Sequence, residues 1–301
     1  MKTRIEQNDP NDPASGETPG TPTTQTVEVN PSSKTTPTNG FRAFVRRREL
    51  VIFFALSYLI AWSTLPFGSF LAFSPLLSAL IVISIAEGLP GLAQLGRRLI
   101  RWRVNWIWYA AAIAVPLLVH GVAVGLNAAT SAPAPSFAPL TPWYAVFLAF
   151  GLGMVNPLEG RLGEEPGWRG FAQPRFQSMW SPLVSAAVLG LLITGWHLPL
   201  VFMPQFDLGI PEIATTVMVT FWYTWLFNRT GGSVLLTLIA HATEGSVNIQ
   251  AMWSPGPYAE RLSWTWLMAW TLLVVILLIF DRKSWRTAPE SAIDRVPGRM
   301  S

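Results

Sequence analysis

Residues 263–280 read Ser263-Trp-Thr-Trp-Leu-Met-Ala-Trp-Thr-Leu-Leu-Val-Val-Ile-Leu-Leu-Ile-Phe280, without one ionisable side chain, and Asp281, Arg282 and Lys283 follow at once. A run of this length and polarity fits a helix crossing a bilayer, which needs about 20 apolar residues. Seven further apolar runs precede it, at roughly 50–66, 69–87, 105–128, 142–158, 182–203, 211–228 and 232–250. Half of all residues are hydrophobic and only 13% are charged, against about 25% in soluble domains. The fold class that follows is all-α: a polytopic transmembrane helix bundle of about eight spans.

Charge sets the expected orientation. Arg46, Arg47 and Arg48 precede the first run, and Arg97, Arg98, Arg101 and Arg103 lie between the second and third. Arg161, Arg169 and Arg175 lie between the fourth and fifth, Arg229 between the sixth and seventh, and Arg282, Lys283 and Arg286 after the eighth. The alternate connections carry only Arg261. Because cytoplasmic loops collect Lys and Arg, both termini are expected in the cytoplasm of a multi-pass cell-membrane protein. The fifteen tryptophans suit belts at the two lipid–water boundaries.

The bilayer is then the first partner. A nucleic-acid partner is not expected, since no basic face with interleaved aromatics is present. With no cysteine, disulfides and thiolate catalysis are excluded. Residues 1–41, rich in Pro, Thr, Ser and Asn, read as a disordered cytoplasmic tail. Residues 42–286 read as the bundle and 287–301 as a C-terminal tail.

Against this background the string Glu164-Glu165-Pro166-Gly167-Trp168-Arg169 is out of place. An Asp, Lys or Arg at a helix centre in the membrane costs at least about 2.5–3.5 kcal/mol, so ionisable groups at depth are paired or functional. Glu165 and Arg169 are four apart and share a helix face, where they can pair; Glu164 points elsewhere and stays free as a general base. Pro166 suits a first helical turn, and Gly163 and Gly167 permit close backbone approach. The motif alone equally fits a solvated ion pair in a loop.

His197 sits late in the fifth run, before Pro199. His241 sits within the seventh run, with Glu244 and Asn248 spaced to share its helix face. Each also fits a structural role, as a buried imidazole or as polar glue between helices. His120, alone in the third run with no acid nearby, reads as structural or weakly functional.

Glu164-Glu165-x-x-x-Arg169-Gly170, then a run bearing His197, then a run bearing His241, resembles the CAAX protease and bacteriocin-processing family. These are intramembrane proteases, also called type II CAAX endopeptidases or Abi proteins. The string 164–176 is similar to the bacterial branch, and the resemblance covers about residues 140–250. Two positions depart from the pattern. Ile193 stands where Phe is common four before the second-motif His, and Gly245 stands where the third motif carries Asn or Asp four after its His.

The resemblance implies an endopeptidase acting on a peptide or membrane-protein substrate. Glu164 would activate water, and Glu165 with Arg169 would hold the geometry. His197 would position the water, and His241, with Asn248, would stabilise the oxyanion. The same residues admit a zinc reading, with His197 and His241 as ligands and Glu164 as third ligand or base, although no His-Glu-x-x-His helix is present. Two other readings stand: a non-catalytic scaffold or immunity-type protein on the same fold, which Gly245 favours, and a proton-coupled transporter.

Depth poses one problem. His197 lies roughly 22 Å along the fifth helix, whereas Glu164 falls just past the cytoplasmic end of the fourth. For the two to meet, residues 159–176 must dip into the bundle, or the fourth helix must continue and tilt.

Overall fold

The structure, a computed structural model, describes residues 40–206 and 208–293. The expectation for residues 1–41 falls outside these except at Gly40 and Phe41, which open the first helix. Among the described residues there is no strand. The helices are α1 (Gly40–Arg47), α2 (Glu49–Trp62), α3 (Ser74–Ala86), α4 (Leu89–Leu99), α5 (Trp106–Ala129) and α6 (Tyr144–Val155). They continue as α7 (Arg161–Glu165), α8 (Gln173–Gln177), α9 (Pro182–His197), α10 (Ile210–Arg229), α11 (Val234–Ser246) and α12 (Pro257–Phe280).

Each of the eight apolar runs holds a helix. Glu49–Phe67, Trp106–Ala129, Pro182–Phe202 and Pro257–Phe280 are long and apolar enough to cross a membrane. They leave large apolar side chains on the outside, such as Leu59, Leu118, Leu191 and Leu272, where lipid is their natural solvent. The helices α3 and α6 are apolar but shorter. α10 is long but carries a stripe of Thr216, Thr220, Thr224 and Asn228, and α11 has only 13 residues. These two are the inner helices.

The bundle has two chemically distinct ends. At one end Ser233 donates to Arg101 O, Arg175 pairs with Glu49 and Glu87, and Gln177 donates to Ala292 O. This is the Arg-rich end. At the other, Trp62 donates to Trp196 O, Gln205 to Gly68 O, Trp253 to Pro133 O and Arg261 to Asn127. Exposed aromatics ring both ends, with Phe44, Trp102 and Trp106 at the first and Phe67, Phe137 and Trp143 at the second. That is the distribution of interfacial belts.

Residues 161–177 are where the fold departs most from expectation. They do not form a loop between spans; they enter the bundle, as the meeting of Glu164 and His197 required, and do so as one continuous buried helix: α7, a π-helical stretch Pro166–Ala172, and α8. It starts at the Arg-poor end, with Gly163 against Phe73 and Gly167 against Pro75, and finishes at the Arg-rich end with Arg175 on Glu49. A Cβ at either glycine would lie 2.5 Å from backbone or ring atoms of α3 or its cap, so only glycine allows that approach. Of the three arginines assigned to a cytoplasmic loop, only Arg175 sits at the Arg-rich end. Pro166 also sits past the first turn. It has no N–H to donate and its ring crowds the preceding turn, and the helix widens into the π form at this residue.

A polar ladder fixes this helix against α10. Arg169 donates to Thr220 (3.4 Å), Gln173 and Thr224 bond each other, and Asn228 donates to Gln177 (2.7 Å). Each pair is 51 residues apart, so the two helices run parallel and in register. Apolar packing closes the rest. One core joins α2, α3, the buried helix and α9 through Phe53, Trp168, Phe171 and Trp196. Another joins α5, α10, α11 and α12 through Trp222, Leu226, Leu236 and Trp270.

Past residue 286 the described chain still packs on the helices. Ala292 is fully buried against Phe227 and Val234, so the chain to 293 belongs to the packed bundle.

Candidate active site

Placing the start of the buried helix at the Arg-poor end removes the depth problem. α9 runs from the Arg-rich end and finishes with His197 at that same level, where Phe70 stacks on its ring. Pro199 lies in a 3-10 turn, Leu198–Phe202, that ends α9. α11 rises antiparallel to α10 and brings His241 to the same region.

The two adjacent carboxylates have different surroundings. Glu165 is fully buried, and its Oε1 accepts from Arg169 Nη1 at 3.1 Å and from His241 Nδ1 at 3.0 Å. Arg169 also lies over the Tyr223 ring, 4.8 Å from its centroid. Glu164 forms no ion pair among the described residues. Its Oε2 accepts from the indole N–H of Trp168 at 3.3 Å, and that indole is locked edge-on between Phe53 and Trp196.

The two imidazoles also differ, and their Nδ1 partners say how. His197 Nδ1 faces Ile193 O at 3.0 Å. A carbonyl only accepts, so Nδ1 carries a proton, and in the neutral ring Nε2 keeps its lone pair. His241 Nδ1–H is bound instead to the Glu165 carboxylate, which can balance a positive ring.

A cavity of about 1320 Å³ joins these groups, lined among others by Glu164, Arg169, His197, Tyr223, His241 and Glu244. Tyr223 was not singled out from sequence. Its signal is positional: it adjoins the Thr216–Asn228 stripe of α10. Asn248 also borders the cavity, but not from the helix face shared with His241. α11 stops at Ser246, and the Asn248 side chain accepts from Ala251 N in the loop beyond. His120 lies elsewhere, buried near Trp266.

The bare position at Gly245 is filled from another element. Arg161 donates to Gly245 O at 2.9 Å. A Cβ on Gly245 would lie 2.1 Å from Arg161 Nη2, and one on Gly153 of α6 would lie 3.3 Å from the Arg161 stem. The arginine therefore occupies a slot between α6 and α11 that these two glycines open. Gly245→Ala should push the flexible Arg161 guanidinium aside and cost the hydrogen bond it makes to Gly245 O, about 0.5–1.5 kcal/mol. In the Arg161→Ala background most of that cost should vanish. Thermal unfolding of both single variants and the double variant in detergent measures the coupling; strictly additive effects would contradict the slot.

Among the described residues no group of three or more His, Asp or Glu side chains that could hold a metal ion is found. His241 Nδ1 and His197 Nδ1 are both engaged within the protein, which leaves Nε2 of each ring for the cavity.

No curated protein matches this chain. Residues 141–246, the segment that carries α6, the buried helix, α9, α10 and α11, match the family model described as type II CAAX prenyl endopeptidase Rce1-like. Over this segment, about a third of its length, the chain is similar to the type II CAAX endopeptidases of the CAAX protease and bacteriocin-processing family.

Proposed function

We propose that the chain is an intramembrane endopeptidase that hydrolyses a peptide bond with a Glu164-activated water and no metal. The observation that carries this reading is the cavity shared by Glu164, His197 and His241, with Glu165 held behind it by Arg169. Glu164 takes a proton from water, and the water oxygen bonds to the carbonyl carbon. His197 Nε2 accepts the second water hydrogen and so aims the attack. His241, as an imidazolium balanced by Glu165, donates from Nε2 to the oxyanion. Collapse breaks the C–N bond, and the Glu164 proton passes to the leaving amine. In this reading the Arg-rich end faces the cytoplasm, both termini with it, and the substrate is a peptide or membrane protein in the same bilayer.

Cleavage run in ¹⁸O-labelled water should leave the heavy isotope in the new carboxyl terminus. Addition of 1,10-phenanthroline should leave the rate unchanged. Loss of cleavage that added zinc restores would contradict the metal-free mechanism, and no fragments from any membrane bearing the chain would favour a scaffold.

A further inference from the structure

The cavity has a direction. Its inner wall is Glu164, Thr220, Tyr223 and His241; its outer wall is Gln205, Gly209, Ala251, Ser254 and Glu260. The outer residues belong to the connections before α10 and before α12 and, for Glu260, to the first turn of α12, at the Arg-poor end, and Gln205, Ala251, Ser254 and Glu260 are exposed. At the opposite end the way is closed. There Arg175 lies buried on Glu49 and Glu87, Arg98 donates to Gly170 O, and Gln177 to Ala292 O. The site therefore communicates with the face that carries few cationic loops.

We infer that the cavity receives its peptide from the non-cytoplasmic side of the membrane, as an extended segment lying at that surface. Three features lead there. The Arg-rich end is cytoplasmic by the distribution of Lys and Arg. The mouth lies among Phe206, Tyr258 and Trp264, exposed aromatics of the interfacial belt, so a segment entering it runs near the bilayer surface. The volume, about 1320 Å³, exceeds the roughly 300–1,000 Å³ of small-molecule pockets and suits several residues of chain. What enters rests on the peptidase reading, but the side of entry does not.

The chain has no cysteine, so each introduced thiol is unique. Ser254→Cys marks the mouth, Thr216→Cys the cavity wall, and Thr287→Cys the Arg-rich end; none lies in the proposed catalytic set. A charged, membrane-impermeant maleimide should label Ser254→Cys and Thr216→Cys in intact cells, and Thr287→Cys only after permeabilisation. Gln205→Cys carries the mouth test if Ser254→Cys fails to accumulate. Labelling of the mouth or wall only after permeabilisation, or of Thr287→Cys in intact cells, overturns the inference. Labelling needs no turnover, so this result stands apart from the outcome of any cleavage assay.

Discussion

Glu164→Gln should lower cleavage by about 10²–10⁴-fold, the usual worth of a positioned general base, while the protein inserts and accumulates as before. The amide keeps the shape of the carboxylate and can still accept from Trp168, so the packing around the Phe53–Trp168–Trp196 cluster is undisturbed. Only proton acceptance is lost. The fall should appear in kcat, because no peptide contact is removed. Single-turnover cleavage by matched amounts of the two proteins measures it; a drop confined to KM would mean that Glu164 binds substrate instead of activating water.

The neighbouring acid should behave differently. Glu165 is fully buried and its Oε1 serves both Arg169 and His241. Glu165→Gln leaves the Arg169 guanidinium without its counter-charge, and Arg169→Ala leaves the Glu165 carboxylate facing His241 alone. Breaking a buried pair from one side costs about 3–5 kcal/mol, so both variants should lose abundance and thermal stability together with activity. Yield and melting temperature in detergent, set beside Glu164→Gln, separate the two roles. A Glu165→Gln protein of unchanged melting temperature would show that the pair does not support the fold.

The apolar runs and their flanking arginines were readable because the bilayer imposes one rule on every span: an apolar helix must fill its thickness. The course of residues 161–177 was not readable by that rule. Arg161, Arg169, Arg175 and Pro166 make the segment look like a solvated loop, yet inside the bundle these arginines have dedicated acceptors at Gly245 O, at Glu165 and at Glu49. The legible sign was a spacing of four. Glu165, Arg169, Gln173 and Gln177 recur at the same interval as Thr216, Thr220, Thr224 and Asn228, and three rungs of this pattern bond across helices.

The site shows the same division. Glu165 pairing with Arg169 followed from their spacing, and the close approach at Gly163 and Gly167 from their lack of a side chain. Asn248 could not be placed from spacing, because helix periodicity carries no information past Ser246, where α11 stops. Gly245 looked like a missing group in the sequence. In three dimensions it is the space that Arg161 needs, and a contact across 84 residues leaves no trace in a local motif.

The most direct test compares the peptides of cells carrying the wild-type chain with those of cells carrying Glu164→Gln at equal abundance. Mass spectrometry of chain termini in the membrane and extracytoplasmic fractions reads the difference. A hydrolytic site built on Glu164 predicts that at least one peptide accumulates uncut in the variant while its cleaved termini disappear. Identical peptide populations in the two, with the variant folded and inserted, would contradict it.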